Sequence, residues 1–492
     1  MQKDLNEKEE LDLLTIKKRS VSGAFTLTSR TFFIQAVNFF STFLLTIALK
    51  PQVFGLFFVV SAVINFLVYF SDIGLAAALI QKEERLSRDD LKTTFTIQEL
   101  LVTGLVCLAL IFAPWVGKFY KLSPAGLWLF KALVFSFFLS SLKTVPSILL
   151  ERKLEFNKLV IPQIVETLIF NITVVLLAFK GFGIASFTWA VLLRGVSGLI
   201  TIYILSPFKP ALGIVESSAR RLLTFGVPFQ ANSLLALLKD DFLTVFLGKI
   251  LPFSQIGFLG WAQKWAFFPL RFFMDSVIKI TFPAFSRLQG NLPALKAAIE
   301  KALFWVCFLT YPFLIGLAVL APKLVLLIPK YSKWQPAVLP LLFFVINGLF
   351  SCFSTTLTNV LNATGRIKTT LKLMVFWTIL TWVLTAGLVF KIGFVGAALA
   401  SALVATTSVL TVILVQKVVL FSLKNISAPF LSASFMGVIV YFLSERLVFD
   451  FFSLVLVIIL GGIIYLSLIL ILAKERFLTG LKLAKEYLLK KS

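Results

Sequence analysis

The sequence predicts an all-α polytopic membrane protein with about 14 transmembrane helices. Three observations predict this fold: an apolar composition, apolar segments of membrane-spanning length, and basic residues concentrated in alternate loops. Hydrophobic residues make up 59% of the 492 residues, and charged residues only 14%. Soluble domains carry roughly 25% charged residues. This chain has more apolar surface than a soluble core can hide, so lipid is its expected solvent.

A helix needs roughly 20 mostly apolar residues to cross about 30 Å of hydrocarbon. By that criterion the predicted spans lie at about residues 25–49, 53–80, 93–113, 127–149, 159–179, 183–205, 224–247, 254–280, 299–320, 336–360, 371–390, 394–416, 427–444 and 451–473. An even number of spans places both termini on the same side of the membrane.

Basic residues alternate between the loops. Clusters such as Lys82, Arg88 and Lys92 lie on the side of the N-terminus, whereas most opposite loops hold a single basic residue such as Lys50. Two opposite loops are exceptions, one with Lys118 and Lys121, the other with Lys323, Lys330 and Lys333. Basic loops remain in the cytoplasm, so both termini are predicted to be cytoplasmic. Residues 1–20 are too polar for a signal peptide.

The formal net charge of +24 is explained by these loops, and no contiguous basic domain indicates a nucleic-acid partner. The chain contains no histidine and three cysteines. Cys107, Cys307 and Cys352 lie in apolar segments without a CxxC pair, so neither a disulfide framework nor a zinc site is indicated. No catalytic residue, metal site or cofactor is predicted.

Two short segments recur in the same order, which indicates an internal repeat. The stretch from Leu49 to Val59 resembles that from Leu251 to Gly260, and Phe179 to Phe187 resembles Phe390 to Leu399. Two six-helix halves with the same topology are typical of transporters. The predicted organisation is an N-terminal segment 1–20, an N-lobe 21–210, a C-lobe 211–420, two additional spans within 421–475, and a cytoplasmic tail 476–492.

Several charged residues fall inside predicted spans, where each costs about 2.5–3.5 kcal/mol on insertion scales. Lys264, Arg271, Asp275 and Lys279 fall on one stripe of the eighth span, which we interpret as a cavity-lining face. The alternative is that Arg271 and Asp275 merely satisfy each other as an i,i+4 pair.

Two arginines lie in the first half. Arg194 lies too deep in the sixth span to reach the interface easily, whereas Arg30 could do so from the first span. The predicted cationic, substrate-binding cavity comprises Arg30, Arg194, Lys264 and Arg271.

The acidic residues within the spans are scattered. The candidate coupling or ion-pair carboxylates are Asp72, Glu166, Asp240, Asp241 and Asp275. Residues 239–241 spread over about 200° of helix, so they cannot all face one cavity.

A cationic hollow suits an anionic cargo, since arginine binds phosphate through two parallel hydrogen bonds. Walls rich in phenylalanine, of which the chain has 54, would let a lipid tail remain in the bilayer. A lipid-linked head group bearing phosphate uses both features.

Five motifs resemble those of the bacterial oligosaccharide or O-antigen flippases (Wzx type) of the MATE-like MOP superfamily. They are Phe54-Gly55-Leu56, the segment from Asp72 to Gln81, Asp241 in the seventh span, Phe282 to Gln289, and Asn362 to Arg366. The resemblance covers most of residues 20–420, and Phe282 to Gln289 is its most specific part.

The resemblance implies a two-lobed, V-shaped transporter in the bacterial inner membrane. Its cargo would be an undecaprenyl-pyrophosphate-linked oligosaccharide, moved from the cytoplasmic to the periplasmic leaflet for polysaccharide biosynthesis. It also implies coupling to an Na⁺ or H⁺ gradient, contact with membrane lipid, and polysaccharide polymerase machinery as a partner.

Three alternatives remain open. A MATE-type multidrug exporter would favour carboxylates in its cavity and typically has twelve spans. A lipid II flippase is poorly separated by sequence alone. A membrane polysaccharide polymerase is disfavoured because the chain has no large external loop and no histidine to act as a general base.

Overall fold

The computed structural model describes residues 13–71, 73–82, 84, 86–231, 234–479 and 482. Within these residues, side chains are described except at 13–25, 225, 227–229, 231, 234–240, 275, 276, 279 and 280. The predicted all-α class is confirmed, since the described part of the chain forms helices and no strand.

The helices of the first half are α1 (Leu13–Ala48), α2 (Pro51–Tyr69), α3 (Leu75–Gln81), α4 (Arg88–Phe119), α5 (Pro124–Ser141), α6 (Thr144–Arg152), α7 (Phe156–Phe179), α8 (Ala185–Leu205), α9 (Glu216–Ala231) and α10 (Leu234–Ile250). Those of the second half are α11 (Phe253–Leu288), α12 (Leu292–Leu327), α13 (Val338–Ala363), α14 (Ile367–Ile392), α15 (Val395–Thr406), α16 (Val409–Gln416), α17 (Lys424–Leu447) and α18 (Phe451–Leu472). A short 3₁₀ helix, Ser332–Ala337, precedes α13.

Among the described residues, 12 helical segments are long and apolar enough to cross a membrane. They match every predicted span except the seventh and the eighth. The end of α9 and α10 occupy the place of the seventh; α10 has 17 residues, and the side chains of 234–240 lie outside the described part. α11 occupies the place of the eighth and has 36 residues, but it is not among the segments that qualify. The number of about 14 spans stays a prediction.

The predicted second span, 53–80, is broken between α2 and α3. Gly74 adopts a left-handed φ of +73° at the start of α3, a conformation that glycine allows at little cost. The turn lies against α9, where a Cβ on Gly74 would overlap the backbone of Gly226. Hydropathy averaged over the length of a span does not show such a break, although Ser71 and Asp72 interrupt the apolar residues there.

The chain divides into two compact units between Ile250 and Leu251. In unit 1, α7 packs on α1 and α8, α5 packs on α4 and α8, α10 packs on α2, and α9 packs on α3 and α4. In unit 2, α12 packs on α11, α13 and α17, while α13 also packs on α15.

The core of unit 2 is built on one face of α12. Leu295, Ile299, Leu303, Cys307 and Tyr311 recur every four residues and are buried, as expected for the inner face of a packed helix.

The two sequence echoes occupy equivalent places. Pro51 begins α2, and Pro252 caps the start of α11. In the second echo, Gly181 follows α7 and Gly393 follows α14, with positive φ angles of 85° and 69°. The predicted lobes 21–210 and 211–420 were drawn on this repeat, and they stay a prediction, as do the segments 1–20, 421–475 and 476–492.

Candidate functional site

Three charged side chains meet halfway along the helices of unit 1. Glu166 on α7 pairs through Oε1 with Lys143, which lies at the junction of α5 and α6. Arg194 on α8 lies with its Nε 3.6 Å from Glu166 Oε2. The Arg194 side chain is 53% exposed and that of Glu166 is 12% exposed. Two cations therefore share one carboxylate, and one of the two cations is accessible.

The group lies deep in the predicted hydrocarbon region. At 1.5 Å per residue, Glu166 is about 15 Å along α7 from its first residue, and Arg194 is about 14 Å along α8. Both depths are close to half of a hydrocarbon core about 30 Å thick.

Arg194 does not lie on the apolar exposed stripe of α8. That stripe consists of Trp189, Leu193, Val196, Ile200 and Ile204. At 100° per residue, Arg194 lies about 80–160° around the helix from each of them. Its guanidinium carbon is 5.9 Å from the ring centre of Phe170 on α7. Arg194 is therefore oriented toward α7 rather than along the stripe that suits lipid.

Glycine makes room for the carboxylate. A Cβ on Gly198 of α8 would overlap the Glu166 side chain. The absence of a side chain at this position lets Glu166 lie between Lys143 and Arg194.

Arg30 is also held by α7. Its Nη1 donates to Gln163 Oε1, and Gln163 precedes Glu166 by three residues, which places both on one face of the helix. Farther along the same pair of helices, Asn171 donates to Asn38 at 3.0 Å. α7 is thus the helix that positions Arg30, Lys143 and Arg194.

In unit 2, the predicted polar stripe of α11 is exposed at Lys264 and Arg271. Among the described side chains from Phe253 to Thr281, only Gln263, Lys264 and Arg271 are exposed. A helix face against lipid would expose Phe, Leu and Ile instead. The polarity of the exposed positions indicates a hydrated face, and the positive charges of Lys264 and Arg271 are close enough to interact.

Cysteine labelling tests whether this face is hydrated. In a Cys107→Ser background, which removes the exposed native thiol, Lys264→Cys should react rapidly with a small, charged maleimide. Leu270→Cys is the matched control, because Leu270 is buried on the same helix and should be protected. Equal protection at both positions would show that the Lys264 face is dry.

The carboxylates predicted for coupling lie apart. Glu166 belongs to the charged group on α7, and Asp241 on α10 accepts a hydrogen bond of 3.0 Å from Asn65 on α2. Asp72 and the side chains of Asp240 and Asp275 lie outside the described residues. The i,i+4 alternative for Arg271 and the coupling role of each carboxylate stay predictions, as does the cavity role of the four cations. No group of His, Cys, Asp or Glu that could hold a metal ion occurs in the described part of the chain.

Lys143 was not among the site residues predicted from the sequence. It lies inside the predicted fourth span, between Ser141 and Pro146, so a basic residue within an apolar segment was a signal that could have identified it. Its partner could not have been identified in this way, because Glu166 lies on another helix.

A second missed group surrounds Asp90 at the start of α4. Asp90 is fully buried and accepts hydrogen bonds from Lys82 Nζ at 2.6 Å, Arg221 Nη2 at 2.8 Å and Ser218 Oγ at 3.0 Å. Asp90 also forms a capping box with Ser87 at the N-terminus of α4, which satisfies backbone N–H groups there. This Asp90 cluster joins α9 to α4 and to the loop after α3.

Comparisons with known proteins identify the family. Residues 44–339, more than half of the chain, match the family described as polysaccharide biosynthesis protein. The lipopolysaccharide biosynthesis protein WzxC of Escherichia coli K12 is 24% identical over 378 residues, which cover 75% of this chain and 74% of that protein. The succinoglycan biosynthesis transport protein ExoT of Rhizobium meliloti is 24% identical over 441 residues, covering 86% of this chain and 87% of ExoT.

Solved structures agree on the fold. The lipid II flippase MurJ in an inward closed conformation matches with a TM-score of 0.75 at 18% identity, over 91% of this chain and 99% of MurJ. An inward-facing MATE multidrug transporter of the MOP superfamily matches with a TM-score of 0.59 at 15% identity, over 80% of this chain and 98% of that one. Together with WzxC and ExoT, these matches confirm the predicted resemblance and the prediction of a transporter rather than an enzyme.

The helices follow the MurJ and MATE arrangement, and since the family match extends over more than half of the sequence, this multi-pass membrane protein belongs to the polysaccharide biosynthesis protein family.

Proposed function

We propose that this protein flips an undecaprenyl-pyrophosphate-linked oligosaccharide across the bacterial inner membrane by alternating access, for polysaccharide biosynthesis. The observation that carries the proposal is the part of α11 from Phe253 to Thr281, where the exposed side chains among those described are Gln263, Lys264 and Arg271. Cations on a hydrated face within a membrane suit a phosphorylated head group, because arginine and lysine bind phosphate through charge-assisted hydrogen bonds.

The relatives support this choice of cargo. WzxC is named a lipopolysaccharide biosynthesis protein, and ExoT a succinoglycan biosynthesis transport protein. Each name refers to a polysaccharide. We therefore propose that the cargo of this protein is a sugar building block attached to a membrane-bound carrier. An organic-cation exporter is less well supported, since a cationic drug would be repelled by Arg30, Arg194, Lys264 and Arg271.

The remaining parts of the proposal concern orientation and energy. In this proposal both termini lie in the cytoplasm, which the loop charges support, and an Na⁺ or H⁺ gradient is the energy source. Polysaccharide polymerase machinery, which would consume the flipped cargo on the periplasmic side, is the proposed partner.

A reconstituted flipping assay tests the proposed cargo. In vesicles containing the purified protein, a fluorescent prenyl-pyrophosphate-linked oligosaccharide should become accessible to a quencher at a rate at least about tenfold above that of protein-free vesicles, since a polar head group crosses lipid slowly unaided. Lipid II and a fluorescent organic cation serve as competing cargoes. Faster transport of either one than of the oligosaccharide lipid would assign the protein to that alternative.

A further inference from the structure

The charged group formed by Lys143, Glu166 and Arg194 contains one more cation than a structural ion pair needs. One carboxylate, Glu166, faces two cations, Lys143 and Arg194, so the group keeps a net positive charge at a depth where charge is costly. A simple pair would be neutral. The unbalanced cation is what an incoming anion would neutralise.

The two pairings of Glu166 differ in closeness. Lys143 makes a direct hydrogen bond to the carboxylate, whereas the Arg194 Nε lies at 3.6 Å. Charge-assisted hydrogen bonds are about 2.7–2.9 Å long, so Arg194 is attracted to Glu166 without a full hydrogen bond. Its guanidinium can therefore turn to an anion that offers better geometry.

Access differs in the same sense. The Arg194 side chain is 53% exposed, while those of Lys143 and Glu166 are 16% and 12% exposed. An anion would reach Arg194 first. The anion would then compete with Glu166 for Lys143, whose side chain is less accessible than that of Arg194.

We infer that Glu166 is an internal counter-ion that competes with the cargo phosphate for Arg194 and Lys143, and that Lys143 is a further phosphate-binding residue. The inference rests on the proposed function, since it requires a cargo that carries phosphate. Glu166 holds the two cations in position in the absence of cargo and weakens cargo binding enough to permit release. It is a positioning residue, not one that contacts the cargo.

Equilibrium binding of geranyl pyrophosphate, a short prenyl pyrophosphate, to the purified full-length protein tests the inference. Glu166→Gln removes the negative charge and keeps the shape of the side chain, so the Kd should fall about tenfold or more. A tenfold change in Kd corresponds to about 1.4 kcal/mol, which is less than a close charge contact contributes. Lys143→Ala should raise the Kd by about the same factor.

Gly198→Ala provides an independent variant that keeps the charge. Its new methyl group would displace the Glu166 carboxylate, which is the flexible end of a side chain, so the Kd should fall as in Glu166→Gln. Glu99→Gln is the matched control: Glu99 accepts a 3.0 Å hydrogen bond from Ser141 rather than pairing with a cation, and its loss should leave the Kd unchanged. Geraniol, which lacks the pyrophosphate, should not bind measurably.

The results separate the inference from the proposed function. Wild-type binding with unchanged or weaker binding in both Glu166→Gln and Gly198→Ala would overturn the counter-ion role and leave the cargo assignment intact. Failure of wild type and all variants to bind geranyl pyrophosphate would overturn the cargo assignment, and the inference with it.

Discussion

Replacement of Arg271 by alanine should reduce export of the polysaccharide about 30-fold or more while leaving the amount of protein in the membrane unchanged. Arg271 is one of three exposed side chains among those described from Phe253 to Thr281 of α11. Loss of a cation from a desolvated phosphate contact costs about 2 kcal/mol or more, which corresponds to the stated factor. Arg194→Ala should act in the same direction, and Arg271→Lys should retain part of the activity, because lysine keeps the charge but not the two parallel hydrogen bonds.

Surface polysaccharide measured in cells that depend on this protein provides the assay. Arg446→Ala is the control, because Arg446 is exposed in the last turn of α17 and lies outside the charged groups. Full export from both Arg271→Ala and Arg194→Ala would refute the role of these cations in cargo binding.

Replacement of Asp90 by alanine should destabilise unit 1 by about 3–5 kcal/mol, the cost of removing one partner from a buried ion pair. The variant would leave Lys82 and Arg221 with only the exposed carboxylate of Glu84, at 3.6 and 3.9 Å. The Lys82 side chain is only 11% exposed. It would also remove half of the capping box at the start of α4. Asp90→Asn should be less damaging, since the amide oxygen can still accept hydrogen bonds.

The neighbouring residue supplies a matched control for this prediction. Asp89 is exposed, and its carboxylate lies 3.9 Å from Lys92, a surface pair that contributes about 0–1 kcal/mol. Thermal unfolding of the purified variants should therefore show a large decrease in Tm for Asp90→Ala and a small decrease in Tm for Asp89→Ala. Equal decreases would show that burial of the Asp90 cluster is not what stabilises the join between α9 and α4.

The Asp90 cluster also affects how the seventh predicted span should be understood. By the repeat, this span opens the second half of the sequence. In the structure, α9 is joined to α4 through Ser218 and Arg221, and α10 packs on α2. These contacts place α9 and α10 in unit 1. The position of a helix depends on the residues that it packs against, and not on the sequence repeat to which it belongs.

The helical class, the position of most spans and the family are predictable from the sequence alone. These properties are local: twenty apolar residues specify a span wherever they pack, and motifs such as Phe282 to Gln289 are contiguous. The sequence also identified Lys264 and Arg271 as members of one stripe, because helical periodicity places residues seven apart on the same face.

Which charged side chains meet depends on the tertiary packing. Lys143, Glu166 and Arg194 lie on different helices, as do Asp90 and Arg221, and nothing in a single segment specifies which faces of two distant helices come together. The break at Gly74 was hidden for the same reason, because the close approach of α9 requires it. Periodicity and hydropathy predict which residues share a helix face. The partners of a buried charge depend on how separate segments pack, and these lie 23 residues apart for Lys143 and Glu166 and 131 apart for Asp90 and Arg221.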